Sequence, residues 1–372
     1  MRRPLRWLRL TALPAAVVLM AALLPSAAHA AYEPPAWDPP ADQNVTTVRW
    51  GPIPIPAAQS DDMPGEVVNQ VAVNGPCNPL IGLFTSCRTL NITKPCEDCY
   101  LTGIMPDLVF AGTDTGVNMM TGGMLHHVVL VNFSRPDSTC PPGLTKRINQ
   151  LGLIQGGNER FFAAGNERTL NRLYAAGNYG YQVKSGDRWG LIYHLMNMNP
   201  EPISVEFKFT FSWTRSATKV DPIWLDVDQC DDSERPIPAG YSDLHWSTTV
   251  LRSGTLVAVG GHAHDYSIAV SLENVTRRRY SCVSVSGYAP DSMFAPAGPG
   301  PGTAGHPASA NTVTSTGHPN ATLDEYMGSV SDFSSCQPDL TFGFLDQIRV
   351  HATYNHPTGD DGAMGIMVAY VR

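Results

Sequence analysis

The chain has 372 residues, a formal charge of −8, 43% apolar residues and only 16% charged ones. That composition supports a sizeable core and excludes global disorder, and an acidic chain with no basic block excludes nucleic acid as its partner. High glycine (33) and proline (31) with few charges disfavour long helices and favour strands joined by many loops.

Residues 1–30 read as a secretory signal peptide. Arg2, Arg3, Arg6 and Arg9 form a charged start, Leu10–Leu24 an apolar stretch interrupted by Pro14, and Ala28-His29-Ala30 a small-x-small cleavage site. The apolar stretch falls short of the roughly 20 residues that span a bilayer, and no later stretch reaches that length. The expected product is secreted or extracytoplasmic, with no membrane partner after cleavage. Eight cysteines remain (Cys77, Cys87, Cys96, Cys99, Cys140, Cys230, Cys282, Cys336), an even number that points to disulfides in an exported chain. Cys77 and Cys87 are near enough to close a small loop, whereas Cys96 and Cys99 are expected to find separate partners.

Residues 31–75 are proline-rich and read as an extended arm rather than a packed element. Further on, Ile203, Val205, Phe207, Phe209, Phe211 and Trp213 alternate with Ser204, Glu206, Lys208, Thr210 and Ser212, the period of two of a strand facing a core. Other strands are expected at 124–133, 189–196, 256–272, 280–286, 340–354 and 363–371. Residues 295–310 form a Gly/Pro/Ala loop. A boundary near 216–222 divides the body into two β-rich halves, so the expected fold class is all-β.

Histidines concentrate in three of these apolar segments: His126-His127, His194, and His262-Ala263-His264. On a strand, His262 and His264 share a face about 6.5–7 Å apart, so they either converge on one ion or form an exposed or core-satisfied pair. His126 and His127 should point to opposite faces; both reach one ion only at a strand end or bend, or through different ring nitrogens. His194 alone fits a core histidine. Met364, after Asp361-Gly362-Ala363, is a soft donor that favours copper over zinc, or else ordinary packing. Asp265 either orients His264 or is an exposed acid; His351 and His356 either line the second site or, the reading favoured, hold structural or surface places; His245 carries no site role.

In order along the chain, these pieces resemble one family: the copper type II, ascorbate-dependent monooxygenases, typified by peptidylglycine α-hydroxylating and dopamine β-monooxygenases. The resemblance runs from about Cys96 to Arg372. It implies two jelly-roll β-sandwich domains in tandem, facing a solvent-filled cleft: an N-terminal copper-binding domain at 76–217 and a C-terminal one at 218–372. It further implies an electron-storing copper on His126, His127 and His194, and an oxygen-binding copper on His262, His264 and Met364, these last three being the catalytic set. The co-substrates would be O2, a one-electron donor such as ascorbate, and a small-molecule or peptide substrate. Hydroxylation of a C–H bond takes two electrons and copper passes one at a time, so two ions share the task. The chain also departs from the peptide-amidating members. Gly260 stands where they hold a substrate carboxylate with arginine, and Ile366 and Val368 replace an asparagine and a tyrosine. Peptidylglycine is therefore not the expected substrate. The alternatives are a non-catalytic exported copper-binding protein on the same scaffold, and a zinc hydrolase on the same histidines, against which Met364 argues.

Overall fold

A computed structural model describes residues 37–60, 63–69, 92–139, 158–228, 233–250, 253–288, 330, 332–334, 336 and 340–372. The signal segment, the 295–310 loop, Cys77, Cys87, Cys140 and Cys230 lie outside the described residues. Among the described residues, nineteen β-strands account for nearly all the regular structure. The other elements are two short 3-10 turns, at Met119–Thr121 and Leu173–Ala176, and no described residue is in an α-helix. The all-β expectation is met.

In the first half, β1 (Asn44–Ile55), β3 (Cys99–Met105), β8 (Tyr179–Val183) and β10 (Ile203–Thr214) lie in one sheet, with β4 (Leu108–Phe110) and β7 (Asn171–Arg172) paired at its side. A four-stranded sheet, in the order β2 (Gly65–Asn69), β9 (Trp189–Asn197), β5 (Gly123–Pro136), β6 (Asn158–Ala164), supplies the facing layer. The alternation read in β10 holds as far as Phe209: Val205, Phe207 and Phe209 are fully buried while Glu206 and Lys208 lie nearer solvent, but Thr210 and Ser212 are buried along with Phe211, so the end of the strand is covered on both faces. Val205, Phe207, Phe209 and Phe211 pack with Trp50, Leu101, Phe161, Tyr181, Trp189 and Leu191 in one apolar core.

In the second half, β11 (Thr218–Asp226), β13 (Gly254–Ala263), β17 (Leu340–Phe342) and β19 (Gly365–Val371) form one layer. The other layer is a five-stranded sheet in the order β12 (Arg235–Thr249), β18 (Gln347–Ala363), β14 (Ser267–Asn274), β15 (Arg279–Gly287), β16 (Asp332–Phe333). A second core, including Val270, Leu272, Val350, Tyr354 and Met367, fills the space between them.

The halves are joined by more than a linker. Parallel pairing of Thr218–Val220 with Tyr179–Tyr181 makes the first-half and second-half layers one ten-stranded sheet. Strand β19 is buried along its whole length. Met364, Ile366, Val368 and Tyr370 belong to the first core, and Met367, Ala369 and Val371 to the second. An unbroken apolar run marks a strand covered on both faces. The Tyr370 hydroxyl donates to the Phe161 carbonyl, and the Arg160 guanidinium lies 4.3 Å over the Trp224 ring, which tie the halves together. The described residues accordingly belong to a single compact unit.

Three readings of the sequence need correction. Residues 31–75 are not an unpacked arm, because β1 and β2 pair with β10 and β9. The prolines misled: β1 is the outermost strand of its sheet, and a sheet edge tolerates Pro52 and Pro54 because one side needs no ladder donors. The expected strands at 256–272 and 340–354 each break: the first after Ala263, where Tyr266 has φ +61°, so His264 sits at a strand end, and the second over 343–346, where Leu345 has φ +66°. Cys96 bonds Cys99 rather than a distant partner, and Cys282 bonds Cys336. Among the described residues no helix is long and apolar enough to cross a membrane.

Candidate metal centre

The His126-His127 pair solves its geometric problem with a β-bulge. Leu125 faces Leu195 and His127 faces His194, so two residues of β5 oppose one of β9 between those pairs. His126 is the extra residue. A bulge turns its strand locally and re-aims a side chain that strict alternation would send to the far face. His127 and His194 already share a face as cross-strand partners, and His126 joins them. Its ring centroid lies 5.4 Å from that of His127 and 4.5 Å from that of His194, and its Nδ1 lies 3.3 Å from Nδ1 of His127. One ring nitrogen from each of the three falls within 4.8 Å of the others.

Strand β13 brings the second group. His262 pairs with Ile366 and Ala263 with Gly365, the last pair of that ladder; His264 and Met364 follow directly beyond it. Sheet partners and residues two apart share a face, which puts His262, His264 and Met364 on one side. Met367 lies on the other, as the three-residue offset requires. The Tyr354 hydroxyl clamps the strand ends: it accepts from the His264 N–H at 3.1 Å and donates to the Met364 carbonyl.

The two groups meet. The His126 and His264 ring centroids are 4.2 Å apart, and those of His262 and His264 5.6 Å apart. The solvent-filled cleft implied by the family resemblance is absent at this point, because the apolar face of β11–β19–β13 is packed into the first core and draws the histidines together. All five histidines singled out in the sequence therefore lie in one cluster, with Met364 buried on the same sheet face.

A carboxylate that sequence reading missed orients this cluster. Glu167, in the turn between β6 and β7, is buried, accepts from the Gly165 N–H at 2.6 Å and sits 2.9 Å from His262 Nδ1. An imidazole donating from Nδ1 to a carboxylate presents its Nε2 lone pair to a metal. That turn is held by both halves. Arg168 donates to the Val117 carbonyl at 2.5 Å, and Thr169 donates to the Gly261 carbonyl at 3.3 Å. Glu167 is 95 residues from His262, and no motif links them. Asp265, the carboxylate considered for this role, instead accepts from the Val330 N–H.

The electrostatics suit a metal. Burial, reinforced by His194 and His262, pushes His126 down to about 3. Burial and the neighbouring imidazoles also put His127 and His264 well below the ordinary histidine range. Burial lowers His194 against the opposing pull of Glu66, whose carboxylate is 3.7 Å away. These rings stay neutral, the ligating form. The Nε2 atoms of His194, His262 and His264 are shut from solvent and have no hydrogen-bond partner. Buried polar atoms are almost always satisfied, so three such nitrogens in one cluster fit a bound transition metal.

Gly260 and Val368, two of the positions where the family's peptide-binding residues are replaced, line a small cavity of about 30 Å³ with Phe162, Thr169, Tyr370 and the polar side chains of Asn171 and Arg172. His356 accepts from the Gly359 N–H at a bend of β18, a structural role. No protein-family model matches the chain, and no curated protein matches it either.

Proposed function

We propose that this chain is an exported dicopper monooxygenase that hydroxylates a C–H bond with O2 and an external one-electron reductant. One observation carries the reading: five histidines meet in one cluster, and the Nε2 atoms of His194, His262 and His264 are buried there without a hydrogen-bond partner. His126, His127 and His194 would hold one ion, and His262, His264 and Met364 the other. Copper would supply one-electron redox chemistry and O2 binding; the thioether favours Cu(I) at the second position. The protein's own contribution is structural. The bulge at His126 aims the first set, Glu167 fixes the His262 tautomer, and Tyr354 ties the backbones of His264 and Met364 together. Gly260, standing where the peptide-amidating members carry the carboxylate-holding arginine, speaks against peptidylglycine as the substrate. The jelly-roll topology and the signal peptide belong to the same proposal. The disulfides among the described residues fit an oxidising compartment.

A second reading, an exported copper-binding protein without turnover, is favoured by the ring contact between His126 and His264, which packs the two sets side by side. Copper content and reductant-dependent O2 consumption, measured together on the purified chain, separate the two. The monooxygenase reading expects two coppers, one lost in His262→Ala and the other in His126→Ala, with O2 uptake lost in both. Two bound coppers without O2 uptake would leave the copper-binding protein. A chain that binds no copper would sink both.

A further inference from the structure

The outer face of the five-stranded sheet carries a second group of ligand-type side chains, outside the cluster described above. His245 of β12 faces His351 of β18 directly across the ladder, and Asp243 lies two residues before His245 on the same side. One donor atom from each of the three falls within 4.8 Å of the others. Asp243 and His245 are exposed and His351 is buried, so the group is open to an ion from solvent yet anchored at its base. Strand β14, on the far side of β18, adds Glu273. Its carboxylate is 3.2 Å from His351 Nε2, while His351 Nδ1 is 3.1 Å from Asp243.

That arrangement has the parts of a built site. Long antiparallel ladders fix the three strands against one another, so the donors are pre-positioned. Glu273 holds one nitrogen of His351 and leaves the other aimed at Asp243 and His245, the carboxylate–histidine–metal pattern that sets a ligating tautomer. Two imidazoles and a carboxylate suit zinc or Cu(II), with water completing the coordination, and suit calcium or magnesium poorly. Arg349 is the cation facing the group. It is drawn aside by Ser247 at 2.8 Å and lies 3.7 Å from Glu273 rather than over Asp243.

We propose that Asp243, His245 and His351 form a further metal site, for zinc or Cu(II), positioned by Glu273 and pinning the outermost strand β12 to β18. The proposal does not depend on the function assigned to the buried cluster. Its test is calorimetric titration of the metal-stripped, full-length chain with Zn2+. His245→Gln should bind one equivalent fewer than the wild type, whereas His126→Ala should retain that equivalent. Glu273→Gln should keep the stoichiometry and weaken that equivalent 10- to 100-fold, as expected for a residue that orients a ligand. His245 and Asp243 are both exposed, so Asp243→Asn serves as the second variant should His245→Gln fail to fold. The proposal is overturned if the variants bind as many equivalents as the wild type with unchanged affinity, or if the difference appears only at millimolar Zn2+, an adventitious ion only. Failure of the copper reading would show instead as missing copper or O2 uptake and would leave this Zn2+ equivalent in place.

Discussion

Two side chains, Met364 and Glu167, decide whether the buried cluster works as proposed. Met364 and Met367 stand on opposite faces of the same chain segment, one in each core. Met364→Ile keeps apolar bulk and removes the thioether. We expect weaker Cu(I) binding, near-complete loss of O2 chemistry and little change in folding. Met367→Ile should keep activity at a packing cost under about 1.5 kcal/mol, typical of a volume-conserving swap. X-ray absorption on the reduced protein checks the pair: a sulfur scatterer should vanish only in the Met364 variant, and its persistence there would remove Met364 from the ligand set. Glu167 acts through His262. Glu167→Gln keeps the shape of the side chain but relaxes the preference for a protonated Nδ1, so copper at the His262–His264 position should weaken 10- to 100-fold. Copper at His126–His127–His194 should not change. Equal weakening at both positions, measured by chelator competition, would mean that Glu167 supports the fold rather than the ligand.

At the scale of elements, the turn between β6 and β7 packs tightly against the site. A Cβ at Gly165 would come within 2.5 Å of His262 Cε1 and 2.7 Å of the Glu167 carboxylate and of the His126 carbonyl. Gly165→Ala should therefore push His262 off its position and cost on the order of 1–3 kcal/mol, the usual range for overpacking. Urea denaturation with copper counting checks this, and a variant of wild-type stability and full copper content would contradict it. The site's histidines were legible in the sequence because each occupies an apolar strand, where an imidazole is conspicuous. Their convergence was only partly legible. His262-x-His264 follows from the two-residue period, but His126-His127 obeys no period, since a bulge depends on the register of β9 and not on local sequence. The elements that prolines obscured, β1 and β2, are stabilised by partners 124 to 169 residues away, which local composition does not encode. His245 and His351 looked unremarkable for a similar reason: they are 106 residues apart, and only the ladder between β12 and β18 sets them face to face.

At the scale of the whole molecule, the packing that closes the two halves together also burdens the metal-free protein. The shared strand β19 and the hydrogen bonds across the junction hold the imidazoles in a buried cluster. Burial is the leading cause of the lowered values at His126, His127, His194 and His264. The sign follows from linkage. In the unfolded chain these groups take up protons near pH 6.5; in the folded chain they resist, His126 down to about 3. Below pH 6.5 the unfolded state therefore binds more protons, and stability falls as pH falls, by up to about 1.4 kcal/mol per pH unit for each imidazole held neutral. Above that pH both states are neutral and the effect disappears. Buried acids act in the opposite sense: Asp107, Glu159 and Asp226, raised chiefly by burial, favour the folded state as pH falls. A pH profile of the wild type alone mixes these contributions, so the histidine part must be isolated by difference. His264→Gln fills the space without a group that titrates near 6.5. Urea midpoints of metal-free wild type and His264→Gln, measured from pH 7.5 to 5, should converge as pH falls, because only the wild type carries the extra penalty at this position. A bound metal should remove the penalty, since the ion stabilises the neutral imidazoles in the folded state alone. Parallel wild-type and variant profiles would show that His264 is not held neutral by the closed junction, and the account of the cluster as a pre-formed, proton-resistant ligand set would fail.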